Sequence, residues 1–260
     1  MRGLSAVIGL AMVGVLGGIL VVGSPTSASA SDDNAVPKFS TFASADDLAA
    51  EVKFLVADLE KAVVDEDEYK SQVDGRFIRD GNTITLIAIG LGLHDQDCPL
   101  KGRAKAIAAG ARKLATMKDY ATTKQAVEDL KSVVAASGSG ADKLEWGKVA
   151  KLNGLMKDEV PNINNKLKTS LRRFKKRASE VSANAATMAL IAENATLYIN
   201  DTKKPTEGQK WIEFAAQMRS AASDLAAKAH AGDEPGATAA MDKLNQSCHD
   251  CHAVFNPEKP

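Results

Sequence analysis

The stretch WIEFAAQMRSAASDLAAKAHAGDEPGATAAMDKLNQSCHDCHAVF, Trp211 to Phe255, decides how the chain is read. Apolar residues recur three or four apart on both sides of Gly232-Asp233, so the stretch predicts two amphipathic helices separated by a tight break. Its last turns hold Cys248, His249, Asp250, Cys251 and His252, in a chain with only 3 cysteines and 4 histidines.

Working outward, the rest of the chain is equally helical in character. Of 260 residues 45% are hydrophobic and only 5% aromatic, and Ala, Leu, Lys and Glu recur throughout. Unbranched side chains keep rotamer freedom in a helix, so an all-α protein is expected. Lys plus Arg and Asp plus Glu are 33 each, which gives no electrostatic reason to expect nucleic acid or an acidic membrane surface as partner.

Arg2, the apolar run Leu4–Val22 and the small residues Thr26-Ser27-Ala28-Ser29-Ala30 predict a secretory signal over 1–30, cleaved after Ala30. The run is also long enough to serve as a membrane anchor if uncleaved. Either way the folded part is expected outside the cytoplasm, in the periplasm. Residues 31–43 read as a solvated lead-in.

Helices are then expected at about 46–63, 69–93 with an interruption at Asp80-Gly81, 100–117 and 122–136. The linker Ser137-Gly138-Ser139-Gly140 follows. A second series comprises the segment Leu144, Val149, Leu152, Met156 and Val160, a long helix over 163–198, and helices over 207–231 and 235–255. The simplest parse is two tandem four-helix bundles, 44–140 and 141–260. TITLIAIG (Thr83–Gly90) resembles TMALIAEN (Thr187–Asn194), which suggests a duplication. Its register sets Val134, Ser137 and Gly138 opposite Cys248, Cys251 and His252, so the first bundle is expected to lack the chemistry of the second.

Cys248-x-x-Cys251-His252 has the spacing at which two thiols take up the vinyl groups of haem c and the histidine becomes an axial ligand. On a helix, residues i, i+3 and i+4 share a face, so these three side chains point one way, while His249 and Asp250 are spacers. A redox dithiol is expected at a helix N-terminus, and about three turns precede this pair. A zinc site needs further ligands, for which only His94, Cys98 and His230 remain. A structural disulfide leaves His252 without a role. His94 reads as a surface residue, Cys98 as a lone thiol, and His230 as a complement to a helix C-terminus.

Residues 211–255 resemble the last two helices of the cytochrome c′ family, the class II c-type cytochromes. The shared features are the terminal C-x-x-C-H, an aromatic three residues later (Phe255), and an Ala-rich preceding helix closed by Gly232-Asp233. More weakly, RASEVSANAATMALIAE (Arg177–Glu193) is similar to the family's first helix. The resemblance implies that Arg177 reaches a haem propionate and that Val181 covers the open face of a five-coordinate iron, with His252 its only protein ligand. Asn256 stands where the family usually has a basic residue. On this reading the protein is no enzyme but a haem-c protein for electron transfer to a redox partner protein, for binding a diatomic gas, or for both. A dimer, or a pseudo-dimer within the chain, is the expected association. The alternatives are a helical interaction module with structural haem, and a zinc or dithiol protein without haem. Met218 or Met188 would supply a sixth ligand if the iron were low-spin.

Overall fold

In the computed structural model, residues 36–72, 75–138 and 143–256 are described, and the expected signal lies outside them. Helices form where the periodicity places them and begin where a side chain can accept from the first turn. α1 (Ala45–Ala62) is capped by Ser44, which accepts from the Asp47 amide at 3.1 Å. After α2 (Glu66–Gln72) come α3 (Arg76–Leu93), α4 (Ala104–Leu114) and α5 (Tyr120–Ala135), the last capped by Asp119, which accepts from the Thr122 amide at 3.0 Å. The second series comprises α6 (Leu152–Gly154), a π-helical turn (Leu155–Glu159), α7 (Val160–Leu171), α8 (Phe174–Ala195), α9 (Gly208–His230) and α10 (Glu234–Phe255). Among the described residues there is no strand, and no helix is long and apolar enough to cross a membrane.

Four expectations differ from the structure. The interruption foreseen at Asp80-Gly81 is absent, because α3 runs through it and the chain turns earlier, at Gly75 with φ +86°. Asp80 is buried and held by Arg76 and Arg79, whose Nε atoms lie 3.4 and 2.9 Å from its carboxylate. Gly81 lets α4 approach: a Cβ there would stand 2.8 Å from the Ala111 carbonyl oxygen. Glycine here serves packing, not a break.

The single long helix expected over 163–198 is instead two, with a turn at Arg172-Arg173. A helix of about 36 residues would run about 54 Å, far beyond the 23-residue α9 it packs against. The turn contains neither Gly nor Pro. It places α8 among α1, α3, α7 and α9, where every residue from Val181 to Ala192 is buried. A helix buried on all sides, rich in Ala and with few polar residues, requires such a central position.

Finally, Phe39, Phe42 and Ala43 are buried, not a solvated lead-in. Phe39 lies edge-on to Trp146 at 5.1 Å and stacks on His94 at 6.0 Å. His94, expected at the surface, is only 1% exposed. Its Nδ1 accepts from the Gln96 amide at 3.0 Å, and its Nε2 donates to the Ala43 carbonyl at 3.0 Å. His230 does end α9, and its Nε2 also stands 2.8 Å from Asp47 Oδ2 on α1. One continuous core draws residues from α1, α3, α4 and α5 as well as from α7 to α10.

Candidate cofactor-attachment site

α10 carries the cysteines and the histidine. Asp233 caps its start by accepting from the Gly236 amide at 2.9 Å, Pro235 occupies the first turn, and the helix then runs without interruption to Phe255. Cys248, Cys251 and His252 all line one cleft of about 290 Å³. The His249 side chain is 64% exposed, and Asp250 accepts from Gln246 at 2.7 Å on the outer surface, so both point away from the cleft.

The floor of the cleft is aromatic. The Phe255 ring lies edge-on to Trp211 at 5.2 Å and to Phe214 at 6.3 Å, and Trp211 Nε1 donates to the Ala195 carbonyl at 2.7 Å. This bond ties the end of α8 to the start of α9, so the floor is fixed by three helices. The cleft exists because α10 packs closely along α9 but meets α7 sparsely, chiefly through Asn164 Nδ2 donating to Asn245 Oδ1 at 3.1 Å. The far wall comes from Leu152, Met156 and Val160, the apolar stripe of the segment that includes the π-turn. Such turns insert an extra residue and re-aim the side chains that follow. Polar residues Asp201, Thr202, Lys203 and Asn256 lie at the rim.

Burial pushes the Cys251 thiol up to about 12, with Cys248 adding to the shift, and burial also raises Cys248. Such thiols are poor thiolates and so poor redox nucleophiles, which counts against a dithiol function. Among the described residues, no group of three or more His, Cys, Asp or Glu side chains converges as a zinc site requires. Cys98 stays apart as a half-buried thiol near α3 and α4. Two thiols and an imidazole beside an aromatic floor fit covalent attachment of a flat, largely apolar ring. At this volume the ring would be held by one edge and one face.

Arg177 and Val181 are not brought to this cleft. α8 meets it only through its last residue, Ala195, and Val181 lies 14 residues earlier, about 21 Å along the axis. Arg177 faces a different, polar cavity, where it pairs with Glu180 at 3.1 Å, and Val181 is buried in the core. The turn at Arg172-Arg173 is the cause: it makes α6–α7, not α8, the first long element of this half. Met188 is likewise in the core and away from the cleft, whereas Met218 lines it. Sequence reasoning missed Met156 and Lys203. The stripe Leu152, Met156, Val160 was visible at i, i+4 and i+8, but nothing in the periodicity told that it faces Cys248.

Compared with known protein families, with curated proteins and with solved structures, the chain matches none of them.

Proposed function

We propose that the protein is an exported c-type cytochrome that carries one covalent haem in this cleft and transfers electrons to a partner protein. The observation that carries the reading is the common orientation of Cys248, Cys251 and His252 from one unbroken helix into a cleft with an aromatic floor. The cysteines would anchor the group and His252 would be an axial ligand, while haem supplies a one-electron couple. Met156 stands on the wall that α10 meets sparsely, whereas Met218 comes from α9, which packs directly against α10. On that placement Met156 would be a further residue to hold the iron, which favours electron transfer over gas binding, since the valine expected to guard an open iron face lies elsewhere. Lys203, near Asn256 at 3.5 Å, takes the propionate role first assigned to Arg177.

On this reading α6–α7, α8, α9 and α10 form the haem-carrying four-helix bundle. α1, α3, α4 and α5 would be its haemless copy, joined to it as a pseudo-dimer. Several packing relations support this: α3 lies against α4 as α8 lies against α9, and α1 and α3 both pack on α8. A Cβ at Gly90 would stand 3.0 Å from Leu190, so the two similar stretches TITLIAIG and TMALIAEN meet. At the end of α5, where the copy would need its motif, Arg103 instead donates to the Val133 and Val134 carbonyls at 3.0 and 2.7 Å.

The test is periplasmic expression with haem-c maturation, followed by absorption spectroscopy before and after acid-acetone extraction. A Soret band that resists extraction is expected in the wild type. His252→Ala is expected to keep covalent haem with an altered spectrum. Extractable haem, or none, would overturn the reading.

A further inference from the structure

A second cavity, of about 450 Å³, lies between α1, α7 and α8, away from the cysteines. Its rim charges are already matched: Lys61 pairs with Asp58 at 2.9 Å, and Arg177 with Glu180 at 3.1 Å. Ser170 also donates to Glu180 at 3.0 Å. Deeper inside, charges still pair but hydrogen bonds are missing. Glu51 is 1% exposed, and neither carboxylate oxygen has a hydrogen-bond donor. Lys166 Nζ stands 3.8 Å from Glu51 Oε1, too far for a hydrogen bond. Asn184, 4% exposed, donates from Nδ2 to the Glu180 carbonyl at 2.8 Å, and its Oδ1 is left without a donor.

Buried acceptors without donors cost stability, so a cavity that holds three of them together is built for a donor-rich guest. An ammonium group supplies three donors. A bare amine, however, would face the Lys166 cation at close range. A guest with a carboxylate beside its ammonium removes that conflict, because the Lys166 stem is flexible and its side chain 29% exposed, free to swing onto the carboxylate. Phe54 and Ala57 line the same cavity and offer apolar surface to a short side chain.

We propose that this cavity binds a small free amino acid as its zwitterion, the ammonium donating to Glu51 and Asn184 and the carboxylate accepting from Lys166. The site is independent of the cysteine cleft. Charged groups facing Glu51 are Lys166 on α7, Asp58 on its own helix, Asp80 on α3 and Glu180 on α8. Binding needs the ionised carboxylate. Burial, against the pull of Lys166, holds Glu51 up at about 7, so affinity is expected to fall as the pH drops below that value.

Calorimetric titration of the full chain with glycine, L-alanine and L-serine, and with ethylamine and acetate as half-ligands, tests the proposal at pH 8 and pH 6. One of the amino acids is expected to bind 1:1, more tightly than either half-ligand and more weakly at pH 6. Glu51→Gln, which keeps the side-chain volume, is expected to weaken binding by about tenfold or more. Absence of binding by all three amino acids at millimolar concentration overturns the proposal. So does ethylamine binding as tightly as alanine, or an affinity unchanged in folded Glu51→Gln.

Discussion

Glu159 gives the most quantitative prediction. It closes the π-turn and is 1% exposed. Burial pushes it up to about 8, with Asp80 and Asp158 adding to the shift and Asn82 and Arg79 opposing it. An unfolded glutamate titrates near 4.5, so between that value and 8 the folded state binds more protons than the unfolded state. Stability from this group is therefore full below pH 4.5 and is lost as pH rises toward 8. At about 1.4 kcal/mol per unit, the loss reaches on the order of 5 kcal/mol at most. Glu51, shifted to about 7, adds on the order of 3 kcal/mol with the same sign. Against a typical total of about 5–15 kcal/mol, these two groups set the pH profile. Urea unfolding followed by circular dichroism from pH 5 to pH 8.5 is expected to show stability falling with pH. Glu159→Gln should flatten more than half of that fall, and the double variant with Glu51→Gln should flatten nearly all of it. A wild type that is as stable at pH 8.5 as at pH 5, or a slope unchanged in Glu159→Gln, would refute the assignment of these two buried carboxylates.

Two further outcomes separate the cleft from the core. Val181→Ala is expected to cost about 2 kcal/mol through its buried methyl groups; on the proposed haem reading it leaves the spectrum as in the wild type, and Met156→Leu converts a low-spin spectrum to high-spin. A spectrum that responds to Val181 and ignores Met156 would return the axial site to α8. Gly81→Ala gains helix propensity but drives a methyl group onto the Ala111 carbonyl, so thermal unfolding should show a net loss of about 1 kcal/mol; equal or higher stability would mean that α3 and α4 separate freely.

Much of the fold was legible because helices are written locally. Apolar residues three and four apart and the Gly232-Asp233 break placed α1, α5 and α10 without any knowledge of their neighbours, and the structure adds the caps Ser44, Asp119 and Asp233. The terminal motif was legible for the same reason, since i, i+3, i+4 spacing on one helix suffices to put Cys248, Cys251 and His252 on one face. Breaks that serve packing left no local trace. Asp80-Gly81 has the composition of a break yet lies inside α3, because its glycine accommodates α4. Arg172-Arg173 carries no break signal yet reverses the chain.

By itself, then, the sequence determined the helical class, the direction in which the two thiols and the imidazole project, and the outward placement of His249 and Asp250. Only the tertiary structure decided what faces them. The turn after α7 sends Arg177 and Val181 to the far end of α8 and brings Met156 and Lys203 to the cleft instead. It also leaves the Glu51 carboxylate oxygens and Asn184 Oδ1 without hydrogen-bond donors beside Lys166. The physical reason is that a helix turns its own side chains through a fixed angle per residue, whereas the wall opposite is set by how helices of unequal length must fold back to bury α8.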